Sequence, residues 1–215
     1  MASLARALRC DLDERDHLYY LAGFSPPARH SNGYVRPGVM SLLDRLKDVP
    51  ACVVTDLGEI LWQNTIADIA LGWTTGRRGD RTQNVVWQWF TEPALRSCFP
   101  EEDWPRHSLA HVSDIRATYS RRGGDTDVAK LVHDLLKHSE EFRDLWERHE
   151  VAVHRFDRKR FLHPEVGVLH LTCEVLLSPE EDTRVLAFFP TEGTDAREKL
   201  ELLRTIGAQD FQTLR

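Results

Sequence analysis

Ala51-Cys52-Val53-Val54-Thr55-Asp56-Leu57-Gly58-Glu59-Ile60-Leu61-Trp62-Gln63-Asn64 is the stretch on which the fold turns. Two β-rich runs, Ala51 to Thr55 and Ile60 to Trp62, flank Asp56-Leu57-Gly58-Glu59, a tight-turn sequence, and so predict a β-hairpin. Asn64 then closes the second strand and is placed to cap a helix over Thr65 to Leu71, which Gly72 ends.

Working outward, the period on either side of the hairpin is helical. Leu4, Leu8, Leu12, Leu18 and Leu21 make a helical pattern that Asp11 can interrupt by capping a second helix, and Gly23 with Ser25-Pro26-Pro27 ends it. Residues 25–37 read as an ordered loop or a stiffened linker, followed by a short helix from Gly38 to Lys47. Beyond the hairpin, Trp104, Ser108, His111, Ile115 and Tyr119 form one helical stripe, and Val128, Leu131, Val132, Leu135 and Leu136 another. Ser139 opens a third helix with Phe142, Leu145 and Trp146 inward. After Glu150 the period returns to two over Val151 to Phe156, Val168 to Leu177 and Arg184 to Phe189, and Leu169, Leu171, Cys173, Val175 and Leu177 share one strand face. An amphipathic helix from Asp195 to Ile206 follows. The order of strand pair, helices, three strands and helix, with short turns between neighbouring strands, predicts an α+β fold. Its sheet is mostly antiparallel, and helices cover one face.

Composition excludes several classes. The 215 residues suffice for one domain or a domain with a short extension, and 28 Lys plus Arg against 34 Asp plus Glu give a net charge of −6, unfavourable for a phosphate backbone. Cys10, Cys52, Cys98 and Cys173 form no C-x-x-C pair, which favours reduced thiols and a cytoplasmic location over a disulfide framework. No apolar run approaches the roughly 18 residues of a membrane helix, and the charged N-terminal stretch is no signal peptide. His107 and His111 stand one helical turn apart, the spacing of a metal pair. Ser108 stands where a zincin carries its Glu, and no third ligand is near in sequence, so no metal is expected. No phosphate cradle, nucleophile elbow or reactive-cysteine motif is present, and the basic runs, Arg155 to Arg160 among them, read as solvated surface. The chain is read as a non-enzyme.

The hairpin and its helix resemble the opening of a PAS domain. Val35-Arg36-Pro37-Gly38, Ser139-Glu140-Glu141-Phe142-Arg143-Asp144-Leu145-Trp146-Glu147-Arg148-His149-Glu150-Val151 and Lys159-Arg160-Phe161-Leu162-His163-Pro164-Glu165-Val166-Gly167 resemble the ligand-binding domain of MmyB-like transcription regulators. The resemblance implies a PAS-like effector domain, residues 25–215, of a bacterial, often actinomycete, regulator. Residues 1–24 would be the remnant of, or connector to, an Xre-type helix-turn-helix domain that this chain lacks. It further implies an apolar or amphiphilic ligand such as a fatty acid, no other cofactor, DNA contact only through the missing domain, and a possible homodimer. Where the family tends to carry Trp just before the hairpin Asn, this chain has Gln63, and Trp62 turns to the opposite strand face. Cys173 replaces a Tyr frequent in the family, and Trp87 an Arg.

A PAS-like sheet curved away from its helices leaves a cavity between the layers. The residues expected to line it are Trp62, Trp87, Phe90, His111, Ile115, Arg116, Tyr119, Leu171, Cys173 and Phe188, with Arg116 as a bidentate partner for a carboxylate. The competing readings are a PAS-like interaction or dimerisation module whose own aromatics fill the cavity, and an enzyme of unrecognised type.

Overall fold

A computed structural model describes residues 1–27, 34–73, 81–122, 125–150, 156–177 and 182–213. The chain divides into two compact units, Met1–His30 and Ser31–Arg215. The first holds α1 (Ala2–Ala7) and α2 (Leu12–Leu21). Asp11 starts α2 with a capping box: its carboxylate accepts from the backbone N–H of Asp13 and Glu14, and the Glu14 carboxylate accepts from the N–H of Asp11.

The second unit begins with α3 (Pro37–Leu43), then β1 (Ala51–Thr55), β2 (Ile60–Gln63) and α4 (Thr65–Leu71). A helical middle follows: α5 (Val85–Thr91), α6 (Pro93–Arg96), α7 (Trp104–Arg122), α8 (Thr126–His138) and α9 (Glu140–Glu147). It ends with β3 (Phe156–His163), β4 (Gly167–Leu177), β5 (Thr183–Pro190) and α10 (Ala196–Thr213). The five strands form one antiparallel sheet in the order β2-β1-β5-β4-β3, the α+β architecture expected from the order of periods.

Local chemistry explains the hairpin. The Thr55 N–H donates to the Glu59 carbonyl at 2.8 Å, and Gly58 sits at φ +88°, a conformation L side chains rarely adopt. A Cβ at Gly58 would also lie 2.8 Å from Val86 Cγ2, so the turn packs directly under α5. Asn64 does more than cap α4: its Oδ1 accepts from Ala67 N–H at 3.0 Å and from Ala51 N–H at 3.1 Å, while its Nδ2 donates to the carbonyls of Leu46 and Val49. One side chain thereby ties the end of the hairpin to its beginning.

Strand alternation sorts the two faces of the sheet. Cys52, Val54, Phe161, Leu169, Leu171, Cys173 and Phe188 turn to the main core, closed by apolar residues of α4, α5, α7, α8, α9 and α10. On the opposite face Ala51, Val53 and Ala187 pack against Leu43 of α3, with Trp62 and Val185 alongside. The main helical layer thus lies on one face, and α3 adds a smaller cover on the other. Leu177, placed by period on the core face, is 56% exposed near the end of β4.

Two elements differ from the sequence reading. The first strand of the C-terminal three runs over Phe156–His163; the expected start, Val151 to Arg155, lies outside the described residues. Asp157-Arg158-Lys159-Arg160 looks like solvated surface, yet it pairs along β4 from Phe156↔Glu174 to His163↔Gly167, because an edge strand tolerates charge. Helix α5 was not anticipated from period. Asn84 caps it, accepting from Trp87 N–H at 2.9 Å, and Val86, Trp89 and Phe90 are its buried face.

Candidate functional site

Between the sheet and the helices α5 and α7 lies a cavity of about 120 Å³. Val54, Cys173, Val175, Leu186 and Phe188 supply its sheet wall, Val85, Val86, Trp89 and Ile115 its helical wall, and Trp73 and Phe99 part of its rim. Trp73 meets Phe161 and Phe188 edge to face, with centroids 6.1 and 5.6 Å away, so the aromatic wall is braced by neighbouring rings.

Polar groups enter at defined points. His107 and His111, one turn apart on α7, both line the cavity, and each ring lies 5.5 Å from the Trp89 ring. Trp89 is anchored in turn by Nε1 donating to Ser108 Oγ at 2.8 Å. Burial, reinforced by the nearby Lys159 ammonium, holds His107 down to about 2 and His111 down to about 3, so both imidazoles are neutral at physiological pH. Lys159 on β3 approaches His107 Nδ1 at 3.3 Å and lines the same cavity. At the other end Arg184 of β5 pairs with Asp114 of α7, Nη1 to Oδ2 at 3.2 Å, and both line the cavity.

Beside that end the hairpin turn is locked by ion pairs. Asp56 bonds Arg121 at 2.5 Å and Arg122 at 2.6 Å, and Arg122 also meets Asp182 at 2.7 Å and Asp125 at 3.2 Å. The Asp56 N–H donates to the Asp182 carbonyl at 2.7 Å. The C-terminal end of α7, the hairpin turn and the start of β5 therefore meet in one charged knot.

The structure brings four of the expected residues together: His111, Ile115, Cys173 and Phe188 line this cavity. Leu171 is fully buried one pleat along β4 from Cys173, outside the lining. Phe90 packs edge to face on Phe142, and Trp87 lies against His138 and under the Arg81 guanidinium. Trp62 pairs with Val53 and sits on the opposite face of the sheet, while Gln63 takes the core side and donates to the Trp73 carbonyl at 2.7 Å. Tyr119 is 41% exposed and packs on Trp146. Arg116 stacks on the Trp146 ring at 4.1 Å, donates to the Trp146 carbonyl and contacts His149 Nδ1, so its guanidinium serves the C-terminal end of α9.

The lining residues Trp73, Trp89, Phe99, His107, Asp114, Lys159 and Arg184 were not singled out as site residues. Period alone could have found two of them: Lys159 shares a strand face with Phe161, and Arg184 with Leu186 and Phe188. Among the described residues no group of three or more His, Cys, Asp or Glu is placed to hold a metal ion, and no helix is long and apolar enough to cross a membrane.

An apolar cavity enclosed between a sheet and its helical cover, entered by a few polar groups, is the construction of a ligand-binding domain. A family model for the MmyB-like transcription regulator ligand binding domain matches residues 35–203, and the chain belongs to that family. No curated protein matches the chain. The matched span includes every residue that lines the cavity, and membership supports an effector-sensing role.

Proposed function

We propose that this chain is the cytoplasmic sensing part of a transcription regulator, that it holds an apolar or amphiphilic small molecule such as a fatty acid in the cavity between β1, β4, β5 and α5, α7, and that it binds that molecule without converting it. The observation that carries this reading is the lining: a mostly apolar wall with the cationic side chains Lys159 and Arg184 at its margin. Apolar contact supplies about 25 cal/mol per Å² buried, and a nearby guanidinium or ammonium adds preference for a carboxylate. Arg184 and Lys159, rather than Arg116, are the candidates for that contact.

Size bears on the ligand. An engineered cavity of about 150 Å³ holds benzene, so about 120 Å³ suits a small ring or a short chain. A long acyl tail would enter with displacement of lining side chains. DNA contact would belong to a separate helix-turn-helix domain, to which residues 1–24 would be the connector, and ligand occupancy would act by favouring one packing of helices on the sheet.

The test is extraction of small molecules from the purified protein followed by mass spectrometry, with calorimetry of whatever is released. Recovery of a stoichiometric apolar compound that rebinds, and that Phe188→Trp displaces, is the expected result. A protein that releases nothing and binds none of a panel of short fatty acids, alcohols and aromatics would remove the reading.

A further inference from the structure

His107, His111, Asp114 and Ile115 fall at i, i+4, i+7 and i+8 on α7, a single helical stripe, and all four line the cavity. Within that stripe the two imidazoles differ. His107 is 1% exposed and closed off, whereas His111, one turn further on, keeps part of its surface open. Burial is nevertheless the largest cause of the depressed proton affinity of His111, ahead of the Lys159 and Arg96 cations. A side chain that lies this deep and is still partly open is open inward, and the stripe it belongs to faces the cavity.

The ring nitrogens of His111 are available to a ligand. Among the described residues neither has a hydrogen-bond partner, and both retain surface that water can touch. The ring is also held in place: it leans on Trp89, with centroids 5.5 Å apart and planes at 51°, and Trp89 is fixed by its bond to Ser108 Oγ. At physiological pH the imidazole is neutral, so one nitrogen carries a proton and the other a lone pair. A hydroxyl group complements either one, because it accepts from the N–H and donates to the lone pair, and so it suits both tautomers. A hydrocarbon of the same shape takes the nitrogens out of reach of water and replaces no bond, which costs of order tenfold in affinity or more.

We infer that His111 is a hydrogen-bonding point inside the cavity, so that the site selects compact apolar molecules bearing a hydroxyl group, small alcohols and phenols, over hydrocarbons of the same shape. This rests on the reading of the cavity as the ligand site. His111 is in this sense a specificity-determining residue, and its neutral contact is distinct from that of the cations Lys159 and Arg184.

The probes are cyclopentanol and methylcyclopentane, which differ in the exchange of a hydroxyl for a methyl group. Each is titrated by NMR into the wild-type chain and into His111→Phe, which keeps a ring at that position without its nitrogens. Because the two probes leave water with different ease, the quantity read is the alcohol-to-hydrocarbon affinity ratio compared between the two proteins. We expect that ratio to be roughly tenfold higher in the wild type. An equal ratio in both proteins overturns the inference while leaving the cavity a ligand site. Binding of neither probe to the wild type overturns the inference together with the reading it rests on. A second measurement needs no variant. In the two saturated complexes of wild-type protein labelled with ¹⁵N-histidine, at least one ring nitrogen of His111 should resonate at different positions, since only the alcohol bonds it. Identical positions in the two complexes overturn the inference.

Discussion

Arg184 on β5 and Asp114 on α7 meet across the cavity margin, Nη1 to Oδ2 at 3.2 Å, and so join the sheet to its helical cover at the site itself. Both side chains are partly exposed, which limits the contribution of the pair to stability to about 1 kcal/mol or less. Its larger effect is on charge, because Asp114 offsets the cation that an anionic ligand would meet.

For that reason Asp114→Asn should raise affinity for hexanoate several-fold, and Arg184→Gln should lower it, with hexanol affected little by either. Calorimetry with the acid and the alcohol checks this. Parallel changes for both ligands would mean that the pair shapes the cavity without reading its charge.

The two buried histidines predict a pH dependence. Their folded values lie at about 2 and about 3, below the ordinary 6.5 of the unfolded chain. The unfolded state therefore binds protons that the folded state refuses. Stability from this source is complete above pH 6.5 and is lost as pH falls toward the folded values. The slope for each histidine grows from about 0.7 kcal/mol per pH unit at pH 6.5 to about 1.4 near pH 5. Urea denaturation at pH 7, 6 and 5 measures it, and His107→Phe should reduce the slope by about half. A slope unchanged in that variant would show that other groups carry it.

Cys173 lies on the floor of the cavity and is 3% exposed. Cys173→Tyr should occupy much of the space and shorten the longest fatty acid accepted, at a stability cost of about 1–3 kcal/mol for overpacking. Lys130→Ala, on the exposed surface of α8, should change neither. Calorimetry over a series of chain lengths is the measurement, and equal length limits in the wild type and Cys173→Tyr would place binding elsewhere.

Gly58→Ala should destabilise the chain by more than about 1 kcal/mol, because the new Cβ meets Val86 Cγ2 at 2.8 Å and the residue must hold φ at +88°. Adding Val86→Ala should relieve the contact but not the backbone strain, so chemical denaturation should show partial recovery. Full recovery would assign the whole effect to the contact.

The hairpin was legible because its signals are local: Gly58 is required by a positive φ and Asn64 by the otherwise unsatisfied N–H groups of a helix N-terminus, both properties of adjacent residues. Helix α5 was harder to read, since its seven residues, Val85-Val86-Trp87-Gln88-Trp89-Phe90-Thr91, mix β-favouring and aromatic side chains and owe their helicity to burial under α7 and α8 and to the Asn84 cap. Lys159 was hidden among charged neighbours, where composition says surface and only strand parity says otherwise.

By itself, the sequence determined the alternation of periods, the antiparallel pairings that follow from short turns, and the strand faces of Cys173 and Phe188, because side-chain direction on a strand is set by counting in twos; the same count separates Trp62 from Gln63, and the expectation of Trp62 in the cavity did not follow it. The tertiary structure alone decided that Arg116 and Tyr119 attend Trp146 while Asp114 reaches the cavity, and how far along the core face Lys159 and Arg184, placed there by strand parity, come to lie. The physical reason is that a helical stripe says which residues turn inward, but not how far along the neighbouring sheet each one lands. That placement depends on the packing of α7 against α9 and the strands, which joins residues tens of positions apart.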